Sequence, residues 1–182
     1  TRWLEITNTS GKAVALTAIS PWSGQLWPQG QEALKLGYFT RSWWTWEGWF
    51  DWKLLPLGTT LIECDMGQSH DDPFFIVQNE DREEYFIGHL AWSANWHMEF
   101  NRKPDTSNTS ASLLFKMGPS AINVLRVIDP GETVKSPAVH LGHVKGDLDS
   151  AVHAMHDHVR HFVIPTLKPK LSGLIQLGIT SD

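Results

Sequence analysis

Twelve consecutive residues, Ser42-Trp43-Trp44-Thr45-Trp46-Glu47-Gly48-Trp49-Phe50-Asp51-Trp52-Lys53, hold five of the chain's ten tryptophans. Tryptophan is the side chain best suited to stack on the apolar face of a sugar ring, because its indole buries a large area and keeps an N–H for a hydroxyl. Trp43, Trp44, Trp46 and Trp49, with Glu47 among them, are therefore the candidate carbohydrate-binding residues. The competing reading makes the same residues an aromatic packing cluster, since most tryptophans in globular domains are core residues. The sequence leaves both open.

Other chemistry is harder to find. Glycoside hydrolysis needs two carboxylates flanking a scissile bond, and Glu47, Asp51, Glu63, Asp65, Asp71 and Asp72 are available. Their spacing pairs none of them. There is no phosphate-binding glycine loop, nucleophile elbow or Cys/His ligand set. Four histidines, His153, His156, His158 and His161, crowd one predicted helix. His153, Asp157 and His161 share a face at four-residue spacing, as a transition-metal site could use. His156 and His158 lie about 200° apart around that helix, so no compact three-histidine site forms. Histidines spread over a polar face are the better account, and neither a metal nor a cofactor is expected. Asn8-Thr9-Ser10 and Asn108-Thr109-Ser110 are formal glycosylation sequons, but both fall where turn residues belong anyway.

The elements that would position these residues are mostly strands. Leu4 and Ile6 alternate with Trp3, Glu5 and Thr7, and extended patterns follow over 13–19, 34–39, 59–64, 74–78, 84–92, 95–100, 113–117 and 121–128. Proline and glycine at 20–24 and 28–30 predict a long irregular connection, and the polar stretch 101–110 predicts an exposed loop. Asp129-Pro130-Gly131-Glu132 is a turn. The tryptophan run is expected to be extended despite its spacing of three, given its aromatic content and Gly48. One helix stands apart: Asp147 suits its N-cap, Leu148, Val152, Met155, Val159 and Phe162 share a face, and Pro165 ends it. Short strands without alternating helices predict an antiparallel β-sandwich or barrel. The divisions expected are 1–146 for the strands, 147–165 for the helix and 166–182 for a linker.

At 182 residues the chain suits one domain with a full core, and 41% hydrophobic and 19% charged residues describe a globular protein. A net charge of -5 and the absence of a Lys/Arg run argue against nucleic acid. No apolar run approaches the roughly 20 residues of a membrane span. Cys64, the single cysteine, excludes an intrachain disulfide and leans towards a reducing, cytoplasmic setting. The chain starts at Thr1 and enters strand-like sequence at once, as a piece of a longer protein would.

The order of segments resembles the family 36 glycoside hydrolases, the α-galactosidase family. Leu57-Gly58-Thr59-Thr60-Leu61-Ile62-Glu63 and Gly67-Gln68-Ser69-His70-Asp71-Asp72-Pro73-Phe74-Phe75 are similar to a strand entering a serine- and histidine-containing loop closed by Pro-Phe. Glu84-Tyr85-Phe86-Ile87-Gly88-His89-Leu90-Ala91-Trp92-Ser93-Ala94-Asn95-Trp96 resembles that family's Tyr/Trp-Ser-Gly-Asn strand pair. Asp129-Pro130-Gly131-Glu132-Thr133-Val134-Lys135-Ser136-Pro137 resembles its PGE…TP turn and strand, and the helix up to Pro165 resembles the one leaving its N-terminal sandwich.

The resemblance implies an all-β supersandwich with one C-terminal helix, packed in the parent on a catalytic barrel that holds the family's two aspartates. It implies no catalytic residue in this chain, and Leu174-Ile175-Gln176-Leu177-Gly178-Ile179 as the first barrel strand. Its expected partners are the barrel of the same parent, carbohydrate and a homo-oligomer. Two departures, the aromatic Trp43–Trp52 segment and Asp71-Asp72 after the histidine, bear on α-galactoside specificity. The other reading is a free-standing carbohydrate-binding module using its tryptophans as the platform.

Overall fold

Side-chain alternation sets the strands, and the computed structural model describes them over residues 1–40, 49–65 and 72–165. In chain order these are β1 (Glu5–Thr7), β2 (Val14–Leu16), β3 (Trp22–Gly30), β4 (Leu34–Phe39), β5 (Phe50–Leu54) and β6 (Gly58–Cys64). Next come β7 (Phe74–Asn79), β8 (Glu84–Leu90), β9 (Trp96–Pro104) and β10 (Ala111–Pro119). Short β11 (Arg126–Ile128) and β12 (Thr133–Lys135) precede β13 (Val139–Lys145). Helix α1 (Leu148–His158) closes the series and runs on into a π-helical turn, Val159–Val163.

All strand pairs are antiparallel. One sheet has the order β13-β8-β7-β4-β5, a second β3-β10-β9-β6, and β1-β12 and β11-β2 form two small ribbons. On β9, buried Trp96, Met98 and Phe100 alternate with half-buried His97, Glu99 and Asn101. β10 does the same with Leu113, Phe115 and Met117. These faces meet Leu36, Phe75, Val77, Leu90 and Val139 of the five-stranded sheet in one cluster. That is a sandwich core, as expected.

The five-stranded sheet is buried on its outer face too. Ile76, Tyr85 and Ile87 point away from the sandwich and pack with Ala151 and Met155 of α1. β7 and β8 therefore read as nearly continuous apolar runs, because they lie between two layers. Asp147 caps α1 as predicted, its carboxylate accepting from Ser150 N–H at 2.8 Å.

Several expectations fail for identifiable reasons. The stretch read as an irregular connection is β3. Its Pro28 is tolerated because β3 is the edge of its sheet, where a missing N–H leaves no ladder partner unpaired. The register with β10 shifts on either side of the pairing between Leu113 and Trp27, which absorbs the irregularity. The predicted loop is shorter: Asn101–Pro104 continue β9, and the guanidinium of Arg102 donates to the carbonyls of Leu55 and Glu32 at 3.0 and 3.1 Å. Residues 121–125 lie outside any strand. β13 was not foreseen. Phe162, assigned to the packed face of the helix, is 78% exposed because the π-turn rotates it off that face.

The two sequons part company. Asn8 is buried, its amide donating to the carbonyls of Lys12 and Ile128 at 2.8 and 2.9 Å. Asn108 sits in the exposed turn above Asp105 with φ 57°. Asp105 accepts from Ser107, Thr109 and Ser110, hydrogen bonds that hold its carboxyl down to about 2.

Candidate functional site

The tryptophan run begins where β4 ends. Strands β4 and β5 form a hairpin whose last pair is Phe39↔Phe50, and beyond it the Thr40 N–H donates to the Trp49 carbonyl at 2.7 Å. The Thr40 hydroxyl donates to the same carbonyl at 3.0 Å. Of the predicted carbohydrate-binding residues, Trp49 stands at this mouth and is 66% exposed. Trp43, Trp44, Trp46 and Glu47 lie outside the described residues.

An aromatic ladder runs down the helix-side face of the hairpin. Phe39 and Phe50 meet edge to face with centroids 5.3 Å apart, Phe50 meets Trp52 at the same distance, and Phe39 leans on Phe74 at 5.6 Å. Gly37 makes the ladder possible. A Cβ there would lie 2.5 Å from the Phe50 ring and 3.0 Å from Trp52. On the opposite face the Lys53 ammonium lies 4.8 Å from the Tyr38 ring centroid. Burial raises the Tyr38 phenol, with the nearby Asp51 charge adding to it, and lowers the Lys53 amine.

Below the ladder a groove of about 370 Å³ opens between the sheet and α1. Phe39, Phe50, Phe74 and Ile87 form one side, and Val152 and Met155 the other. Among the described residues His156 is the only titratable side chain lining it. A sugar site needs convergent hydrogen-bonding groups as well as an apolar wall. Among the described residues the groove supplies little beyond the wall.

Among the described candidate carboxylates, Asp51 is on β5 and accepts from the Trp52 N–H at 2.9 Å, while Glu63, Asp65 and Asp72 are exposed. Glu47 and Asp71 lie outside the described residues. Among the described residues no three His, Cys, Asp or Glu side chains could hold a metal ion. The lining phenylalanines were missed in the sequence because nothing local distinguishes Phe39 or Phe74 from ordinary core residues.

No family model matches the sequence, and no curated protein sequence does. Solved structures do match the fold. The galactosidase domain of an α-galactosidase–sucrose kinase superposes with a TM-score of 0.73 at 17% identity, over 87% of this chain and 22% of that one. The α-galactosidase of Lactobacillus brevis gives 0.69 at 16% identity over 86% and 21%. A GH36 α-galactosidase of Geobacillus stearothermophilus gives 0.67 at 17% identity, again over 86% and 21%. This chain has a fold that α-galactosidases contain. It spans about a fifth of the length of those enzymes, the same family that its ordered motifs resemble.

Proposed function

We propose that this chain is the non-catalytic sandwich portion of an α-galactosidase-like glycoside hydrolase. In this reading it supports a catalytic barrel elsewhere in the parent, and it contributes to a homo-oligomer. The observation that carries the proposal is the match of nearly the whole chain to about a fifth of several α-galactosidases. Identities of 16–17% make this a likeness of fold, so substrate and reaction are inferred from the neighbours. The division at 146/147 fits this reading, with α1 as the exit from the sandwich.

A second reading is favoured by Trp49. A tryptophan 66% exposed at a hairpin mouth, next to three more in sequence, suits a sugar platform working without a barrel. One titration separates the two. The purified chain is titrated with galactose, melibiose, raffinose and a galactomannan, by calorimetry and tryptophan fluorescence together, and assayed for release of galactose. The sandwich reading expects no galactose release and no saturable binding. Saturable binding lost in Trp46→Ala and Trp49→Ala would make the chain a carbohydrate-binding unit in its own right, and galactose release would overturn both readings.

A further inference from the structure

Away from the groove, the C-terminal end of α1 meets the sheet through histidines. His89 on β8 and His140 on β13 are register partners, and their rings stack at 4.6 Å with 25° between planes. His140 Nδ1 lies 2.7 Å from His158 Nε2 on α1. His158 in turn stacks on Phe162 at 5.5 Å. The Thr1 hydroxyl lies 3.0 Å from His140 Nδ1 and 3.4 Å from His158 Nε2. His140 is only 6% exposed. Where the rest of the helix contact is Ile76, Ile87, Ala151 and Met155, this end is held by imidazoles.

We propose that the His140–His158 contact is a pH-sensitive latch that fastens the end of α1 to the five-stranded sheet at neutral pH and releases it in mild acid. A nitrogen–nitrogen hydrogen bond needs one nitrogen to donate and the other to accept. A neutral or singly protonated pair satisfies that, whereas a doubly protonated pair aims two N–H groups at each other. Among the described residues the titratable group facing the pair is His89 from β8, and it supplies no negative charge. His153, Asp157, Arg160 and His161 share the helix, and Asp157 is engaged with Arg160 at 3.4 Å.

The electrostatics run the same way. Burial, with the charges of His89 and His158 behind it, pushes His140 down to about 4. Burial likewise lowers His89 and His158. The folded chain therefore binds fewer protons than the unfolded one between about pH 4 and the ordinary histidine value near 6.5. Stability at this contact is full above that window and is lost as the pH falls through it.

Amide hydrogen exchange of the whole chain at pH 7.5 and pH 5.0, corrected for intrinsic rates, tests this. We expect protection across residues 151–163 to fall at least tenfold more than protection in β7, and His158→Gln to remove that difference. His153→Gln, exposed on the same helix, is expected to keep it. Equal loss in helix and sheet, an unchanged difference in His158→Gln, or its disappearance in His153→Gln would each overturn the latch. So would imidazole resonances of both His140 and His158 titrating at or above 6.5, a measurement that requires no variant.

Discussion

The inner face of the five-stranded sheet meets another sheet, while its outer face meets one helix. Between the sheets the cluster is apolar, with Phe75 against Phe100 and Phe115 at 5.3 and 4.7 Å. Beneath the helix the apolar contact is smaller, opens into a groove at one end and gives way to histidines at the other. Volume alone governs the first contact; solution conditions enter the second. The helix is thus the layer with the smaller apolar contact.

Substitutions on the two faces would break that contrast or sharpen it. Phe75→Ala empties a site with no solvent exposure and is expected to cost about 4 kcal/mol, lowering the urea midpoint of the whole chain. Met155→Ala, on the helix, is expected to cost about 2 kcal/mol. Its exchange protection should fall in α1 and stay in β7 and β9. If Met155→Ala lowers protection in the sheets as far as Phe75→Ala does, helix and sandwich form one cooperative unit and the contrast is wrong. Asp147→Ala removes the cap on Ser150 and has the smallest expected effect. It should fray the first turn of α1 in amide exchange while the urea midpoint stays near that of the parent chain.

What the sequence disclosed followed local chemistry. The strand 34–39 was placed to the residue, because its pattern begins and ends cleanly. The Asp147 cap was legible because capping is decided within three residues. β3 was not, since Pro28 with Gly24 and Gly30 signals a loop unless the strand is known to be an edge, and edge status depends on β10, some ninety residues later. The same limit hid the histidine contact. His158 looked like one of four surface histidines, and only the pairing of β8 with β13 brings His89 and His140 beneath it. The candidate site was legible as a tryptophan run, but the ladder of Phe39, Phe50 and Phe74 depends on two sheet pairings at once.

The two small ribbons set a timetable for synthesis. Glu5 pairs with Lys135 and Val14 with Ile128, so β1 and β2 have partners made more than a hundred residues later. At about 5–20 residues per second, β1 waits on the order of ten seconds before its ribbon can form. Closing so large a loop comes late in any folding order. β4 and β5, neighbours in sequence, pair as a hairpin, an element that forms in microseconds. A nascent chain stalled before residue 126 would carry a finished aromatic ladder and an unanchored beginning.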